Sequence, residues 1–182
     1  MKKMHQNVEK IMISAEQIQA RVKELAAQLD RLYEGHKPLV VCILKGSAIF
    51  FADLIRNMNT TMDVDFMAVS SYGAGTVSSG ELKIKKDLTT DIKGRDVLIV
   101  EDIIDSGNTL YHLKKMLITR QPASLNIVTL LDKPERREAP MEPEYTGFVI
   151  EDEFVIGYGL DYAEEYRNLP YVGVLKRSVY EK

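Results

Sequence analysis

The sequence predicts an α/β domain, a mostly parallel sheet flanked by helices, and two observations predict it. Leu39 to Leu44 and Val97 to Val100 are unbroken, largely β-branched apolar runs. Neither alternates as a half-exposed strand does, so each reads as a strand covered on both faces. Each run also empties into a short polar loop followed by a helical pattern, the strand, loop, helix order of parallel sheets. A chain of 182 residues suits one such domain with a modest appendage, and at that length roughly two-thirds of the unfolded surface can be buried.

Composition limits the partners. With 24 Lys and Arg against 27 Asp and Glu, the formal charge is −3, so there is no electrostatic footprint for nucleic acid or an anionic membrane. No segment approaches the roughly 18 apolar residues of a spanning helix, and the first ten residues lack the apolar stretch of a signal peptide. A cytoplasmic protein with a small-molecule partner is expected. The single Cys42 lies inside an apolar run and reads as core.

In chain order, Ser14 to Tyr33 reads as an amphipathic helix, because Ile18, Val22, Leu25, Ala26, Leu29 and Leu32 recur at helical spacing. Ser14 and Gln17 make a capping box, and Gly35 ends the helix. His5, His36 and His112 have no partner at helical spacing and read as exposed loop residues rather than metal ligands. Leu39 to Leu44 delivers Lys45-Gly46-Ser47 ahead of an apolar helix from Ala48 to about Met58. A Lys and a Gly at a strand's carboxyl end can bring a cation and close backbone to an anion, and can equally be an ordinary turn. The string is not a Walker A loop. Asp63 to Val69 reads as a strand, Ser70 to Gly80 as a loop of small residues suited to a lid, and Glu81 to Lys86 as the return strand.

Val97 to Val100 runs into Glu101 and Asp102, then Asp105, Ser106, Gly107, Asn108 and Thr109, before a helix from Leu110 to Thr119. Acids at the carboxyl end of a parallel strand stand where open α/β sheets bind ligands. The small polar loop offers amides and hydroxyls at a helix start, which can cradle a phosphate. Pro122 stops the helix, and a strand from Ser124 to Leu131 delivers Asp132-Lys133-Pro134. The following run, Glu135 to Glu138, reads as a solvated face. In the last third, Phe154 could stack on a flat heterocycle or pack in the core. Asp161 is an acid among apolar and aromatic residues and needs a partner. Mg²⁺ with substrate oxygens would serve, and so would Arg167.

The string from Val97 to Leu110 resembles the phosphoribosyl pyrophosphate signature of the type I phosphoribosyltransferases. Matches from Lys10 onward place it in the hypoxanthine-guanine branch of that family. The resemblance implies the corresponding fold over residues 1–182, with a hood formed by about 1–12 and 134–182. It implies that Glu101 and Asp102 face the ribose hydroxyls and that Ser106, Gly107, Asn108 and Thr109 hold the 5′-phosphate. Lys45, Gly46 and Arg167 then meet pyrophosphate, Ser71 and Tyr72 belong to a closing flap, and Asp105 lies beside the purine as general base. Lys133, Phe154, Val155 and Asp161 line the base site, with Lys133 on the exocyclic oxygen. Mg²⁺ is implied as cofactor, held by Asp161, Glu101 and Asp102. The implied reaction joins a 6-oxopurine to phosphoribosyl pyrophosphate with inversion at the anomeric carbon, in a homodimer or homotetramer. The sequence departs from the family at Asn108, where a Lys often stands. A sensor of phosphoribosyl pyrophosphate that regulates through nucleic acid, and a transferase preferring xanthine or adenine, remain as rivals.

Overall fold

A computed structural model describes residues 3–71 and 82–181. Its elements in chain order are α1 (Lys3–Gln6), β1 (Val8–Ile13), α2 (Ala15–Leu32), β2 (Leu39–Leu44), α3 (Ala48–Asn57), β3 (Asp63–Ser71), β4 (Leu82–Lys86), β5 (Asp96–Ile104), α4 (Asn108–Ile118), β6 (Ser124–Asp132), a 3₁₀ turn (Pro134–Arg136), β7 (Tyr145–Val149), β8 (Val155–Ile156), β9 (Val172–Leu175) and α5 (Arg177–Tyr180). Most of the Ser70 to Gly80 loop, Tyr72 included, lies outside the described residues, as do Glu81 and the side chain of Ser71.

The apolar runs pair as their pattern demands. Strands β3, β2, β5, β6 and β7 are mutually parallel, and β4 adds antiparallel at the β3 edge, giving a six-stranded sheet in the order β4-β3-β2-β5-β6-β7. Alternate side chains of each run face opposite layers. Val40, Cys42, Leu98, Val100 and Val128 pack with the apolar stripe of α2 and with Phe50 and Leu54 of α3. Leu39, Val41, Val97, Ile99 and Ile127 pack on the other side with Leu110, Leu113 and Leu117 of α4. The α2 capping box is present: Gln17 N donates to Ser14 Oγ at 3.3 Å and Ser14 N to Gln17 Oε1 at 2.8 Å.

Several expectations need correction. Leu32, assigned to the core stripe, is the last residue of the helix and is 41% exposed. Strand β5 does not stop at Val100 but runs to Ile104, so Glu101 and Asp102 belong to the strand, with Glu101 in register with Thr129 of β6. Helix α4 starts at Asn108 rather than Leu110, since Gly107 takes the N-cap with φ 77°. His5 and His112 lie in α1 and α4, and His36 pairs with Asp96 at 2.9 Å.

A second, antiparallel sheet in the order β1-β9-β8 is built from both ends of the chain. β7, by contrast, joins the main sheet beside β6.

Candidate active site

Chain order in the main sheet reverses between β2 and β5: the chain leaves β2 toward β3 and β4 on one side, and leaves β5 toward β6 and β7 on the other. Loops leaving the carboxyl ends of these two strands therefore diverge, and the crevice between them is the expected ligand site of an open parallel sheet. The two predicted loops, Lys45-Gly46-Ser47 and Asp105 to Thr109, both lie there. The first loop comes within touching distance of the acid end of β5, since a Cβ on Gly46 would collide with the Asp102 carboxylate. The Leu44–Lys45 peptide is cis.

Strand β5 delivers the acids. Glu101 is enclosed, and its Oε2 is buried without a hydrogen-bond partner. Burial, then the charge of Asp102, push its carboxyl well above the ordinary range. Asp102 is raised to about 6, by burial, against the opposing effect of its backbone hydrogen bonds, chiefly the one Ile103 N donates at 3.0 Å. Two adjacent carboxylates that resist ionisation are primed to meet cations or hydroxyl donors. Among the described residues no group of three or more His, Cys, Asp or Glu is arranged as a metal cage. The buried, unpartnered Glu101 Oε2 and the neighbouring Asp102 carboxylate are hard oxygen donors of the kind that Mg²⁺ takes one or two at a time.

Beyond β5 the chain turns through the small-residue loop. Its left-handed Gly107 lies against Arg137, whose Cδ would stand 2.9 Å from a Cβ at that position. Arg137 is 13% exposed and ion-paired with Asp132, so the reading of Glu135 to Glu138 as a solvated face fails at this residue. The run folds back under the loop: Glu138 N and Ala139 N donate to Ser106 O at 3.0 Å each, and Asn108 Nδ2 donates to Glu138 Oε2 at 2.7 Å. A cavity of about 280 Å³ opens here, lined by Glu101, Asp105, Ser106, Gly107 and Thr109.

A second cavity, about 270 Å³, lies on the other side of Asp105 and is lined by Asp102, Asp105, Lys133, Phe154, Val155 and Asp161. Lys133, at the carboxyl end of β6, is only 4% exposed. Its Nζ donates to Glu153 O at 2.8 Å and lies 3.3 Å from Asp105 Oδ1, close enough for an ion pair but poorly aligned for a hydrogen bond. Phe154 is 39% exposed, so it is not a core aromatic. Tyr180 stacks on it at 4.8 Å and Tyr162 meets it edge-on at 5.6 Å.

Asp161 and Arg167 close the crevice. Arg167 Nη2 lies 2.9 Å from Asp161 Oδ1, and its Nη1 donates to Gly159 O at 2.8 Å. Of the two alternatives for Asp161 the ion pair with Arg167 is present, and the acid also lines the cavity with Asp102. Two residues that sequence reasoning left out also stand here. Arg137 gave no signal beyond its charged neighbours. Glu164 did give one, since it sits three residues from both Asp161 and Arg167, a spacing that invites contact, and its Oε2 meets Lys45 Nζ at 3.1 Å and Arg167 Nη2 at 3.3 Å. Those two cations hold its carboxyl below the usual value.

The family model described as "Phosphoribosyl transferase domain" matches residues 14–163. The hypoxanthine-guanine phosphoribosyltransferase of Bacillus subtilis is 56% identical over 178 residues, which cover 98% of this chain and 99% of that protein. The bifunctional protein TilS/HprT of Listeria innocua is 53% identical over 179 residues, and this chain spans only 28% of its length. Among solved structures, a hypoxanthine phosphoribosyltransferase from Staphylococcus aureus superimposes with a TM-score of 0.94 at 54% identity, covering 98% of this chain and 97% of that one.

Proposed function

The chain belongs to the phosphoribosyl transferase family, and from that premise we propose that it transfers the 5-phosphoribosyl group of phosphoribosyl pyrophosphate to hypoxanthine or guanine, a purine salvage reaction releasing pyrophosphate. One observation carries the choice of base. Asp105 is the one polar residue shared between the small-loop cavity and the aromatic cavity, beside the apolar Ile103, and Lys133 Nζ stands 3.3 Å from it in the latter. On a 6-oxopurine, N7 and O6 are neighbours on one edge. A carboxylate beside an ammonium at that separation matches a protonated N7 beside O6, and an ammonium, with three donors and no acceptor, opposes the 6-amino group of adenine.

In this reading Ser106 to Thr109 hold the 5′-phosphate with backbone amides and hydroxyls at the start of α4. Glu101 and Asp102 meet the ribose hydroxyls. N9 forms its bond to the anomeric carbon as the bond to the pyrophosphate oxygen breaks and the electron pair leaves with pyrophosphate. Asp105 holds the proton at N7, a general-base role. Lys45 and Arg167 meet the charge that grows on the leaving group. When bound, Mg²⁺ would be held by one or two of the carboxylates Glu101, Asp102 and Asp161 and would neutralise part of the charge on the leaving group. The cytoplasm and a homodimer or homotetramer are the proposed setting.

The test is an assay with phosphoribosyl pyrophosphate and hypoxanthine, guanine, xanthine or adenine, following nucleotide and pyrophosphate together. Turnover with the first two, lost on chelation of Mg²⁺, is expected; a preference for adenine would refute the base assignment. Asp105→Ala should lower turnover by roughly 10² to 10⁴ without changing the melting temperature.

A further inference from the structure

We propose that Glu164 competes with pyrophosphate for Lys45 and Arg167, so that its side chain sets how tightly phosphoribosyl pyrophosphate binds and how readily pyrophosphate leaves. The inference rests on the reading of those two cations as pyrophosphate contacts. A single carboxylate oxygen, Glu164 Oε2, accepts from Lys45 Nζ at 3.1 Å and from Arg167 Nη2 at 3.3 Å. One anionic oxygen shared between two cations from different loops is the arrangement a phosphate oxygen would take there. The carboxylate thus fills the anion's place with the protein's own charge.

Its attachment suits the part. Glu164 N donates to Asp161 Oδ2 at 2.9 Å, and the backbone there is held at φ 65°. The main chain therefore fixes Asp161 while the side chain reaches over the cations, so the two functions separate on substitution. Lys45 and Glu164 are 69% and 65% exposed at the side chain. Ion pairs so exposed are individually weak, so an anion bearing several charges can displace the carboxylate. On product release the carboxylate closes back onto the cations, which lowers the barrier to losing pyrophosphate. A neutral side chain removes that competition.

The experiment measures pyrophosphate affinity in Mg²⁺ by calorimetry, with KM and kcat for each substrate, in the parent, Glu164→Gln and Glu164→Ala. Both variants should bind pyrophosphate about three- to tenfold more tightly and show a matching fall in KM for phosphoribosyl pyrophosphate. KM for hypoxanthine and the affinity for the nucleotide product, which does not reach these cations, should hold. Unchanged or weaker pyrophosphate binding in both variants would overturn the inference. Lys45→Gln and Arg167→Gln separate it from its premise. If these keep parental pyrophosphate affinity, the pyrophosphate assignment itself falls. If they lose it while the Glu164 variants gain nothing, only the competition is wrong.

Discussion

At the scale of single residues, the proposed base preference rests on Lys133. It is buried to 4% exposure and held by Glu153 O, so its ammonium is aimed rather than free. A site built to hydrogen-bond one group rejects an analogue lacking it by about 10⁴, because its own polar group is left unpaired. Lys133→Gln, whose amide can donate or accept, should narrow the hypoxanthine-to-adenine ratio of kcat/KM while the KM for phosphoribosyl pyrophosphate stays within about threefold. A parental ratio in the variant would move selectivity to the backbone around Val155. Lys133 was legible because it stands at the mouth of an apolar run, where position alone separates it from its charged neighbours. Arg137 was not, since a charged run looks the same whether it is solvated or folded under Gly107. The ion pair with Asp132 that decides the matter is formed only in three dimensions.

Among the elements, strand β3 shows how a buried charge can fasten a sheet edge. Asp65 is 4% exposed, and it accepts from Phe66 N at 2.7 Å, Thr89 N at 2.8 Å, Thr90 N at 2.9 Å and Thr89 Oγ1 at 3.0 Å. Burial alone would raise its pKa, but the backbone donors of Phe66, Thr90 and Thr89 outweigh it and hold the carboxyl well below the ordinary value. A depressed folded-state value means that the stabilisation is fully present above the unfolded value of about 4 and is lost as the pH falls through the folded one. Asp65→Ala should cost about 2 to 3 kcal/mol at pH 7, since it strands buried backbone donors. Urea midpoints of parent and variant should converge as the pH is taken below about 4; a constant gap would show that packing, not ionisation, is at stake. Element type was well read from periodicity, because strands β2 and β5 and helix α2 bury continuous stripes. Ends were less so: β5 continues through two acids that no propensity argument would place in a strand, held there by pairing with β6.

For the molecule as a whole, the main sheet and its two helical layers were foreseeable from unbroken apolar runs, and the crevice from the order of loops at their carboxyl ends. Periodicity did not show the three-stranded sheet, because β8 has only two residues and β9 four, too few to carry a period; only the family resemblance pointed to a hood drawn from both ends of the chain. Its pairing joins Val8 to Leu175 and Ile13 to Val172, contacts almost as far apart along the chain as this sequence allows. Such contacts are slow to form, because loop closure must precede any reward. The parallel core should therefore gather first and the small sheet close last. In a refolding experiment with pulsed hydrogen exchange, amides of β2, β5 and β6 should become protected before those of β1 and β9; simultaneous protection would contradict this order. Asp161, Glu164 and Arg167 lie between β8 and β9, so Glu164 reaches Lys45 only when that late sheet shuts. Competence to turn over substrate should consequently lag behind the recovery of most native structure, and an intermediate with a finished core would be catalytically silent.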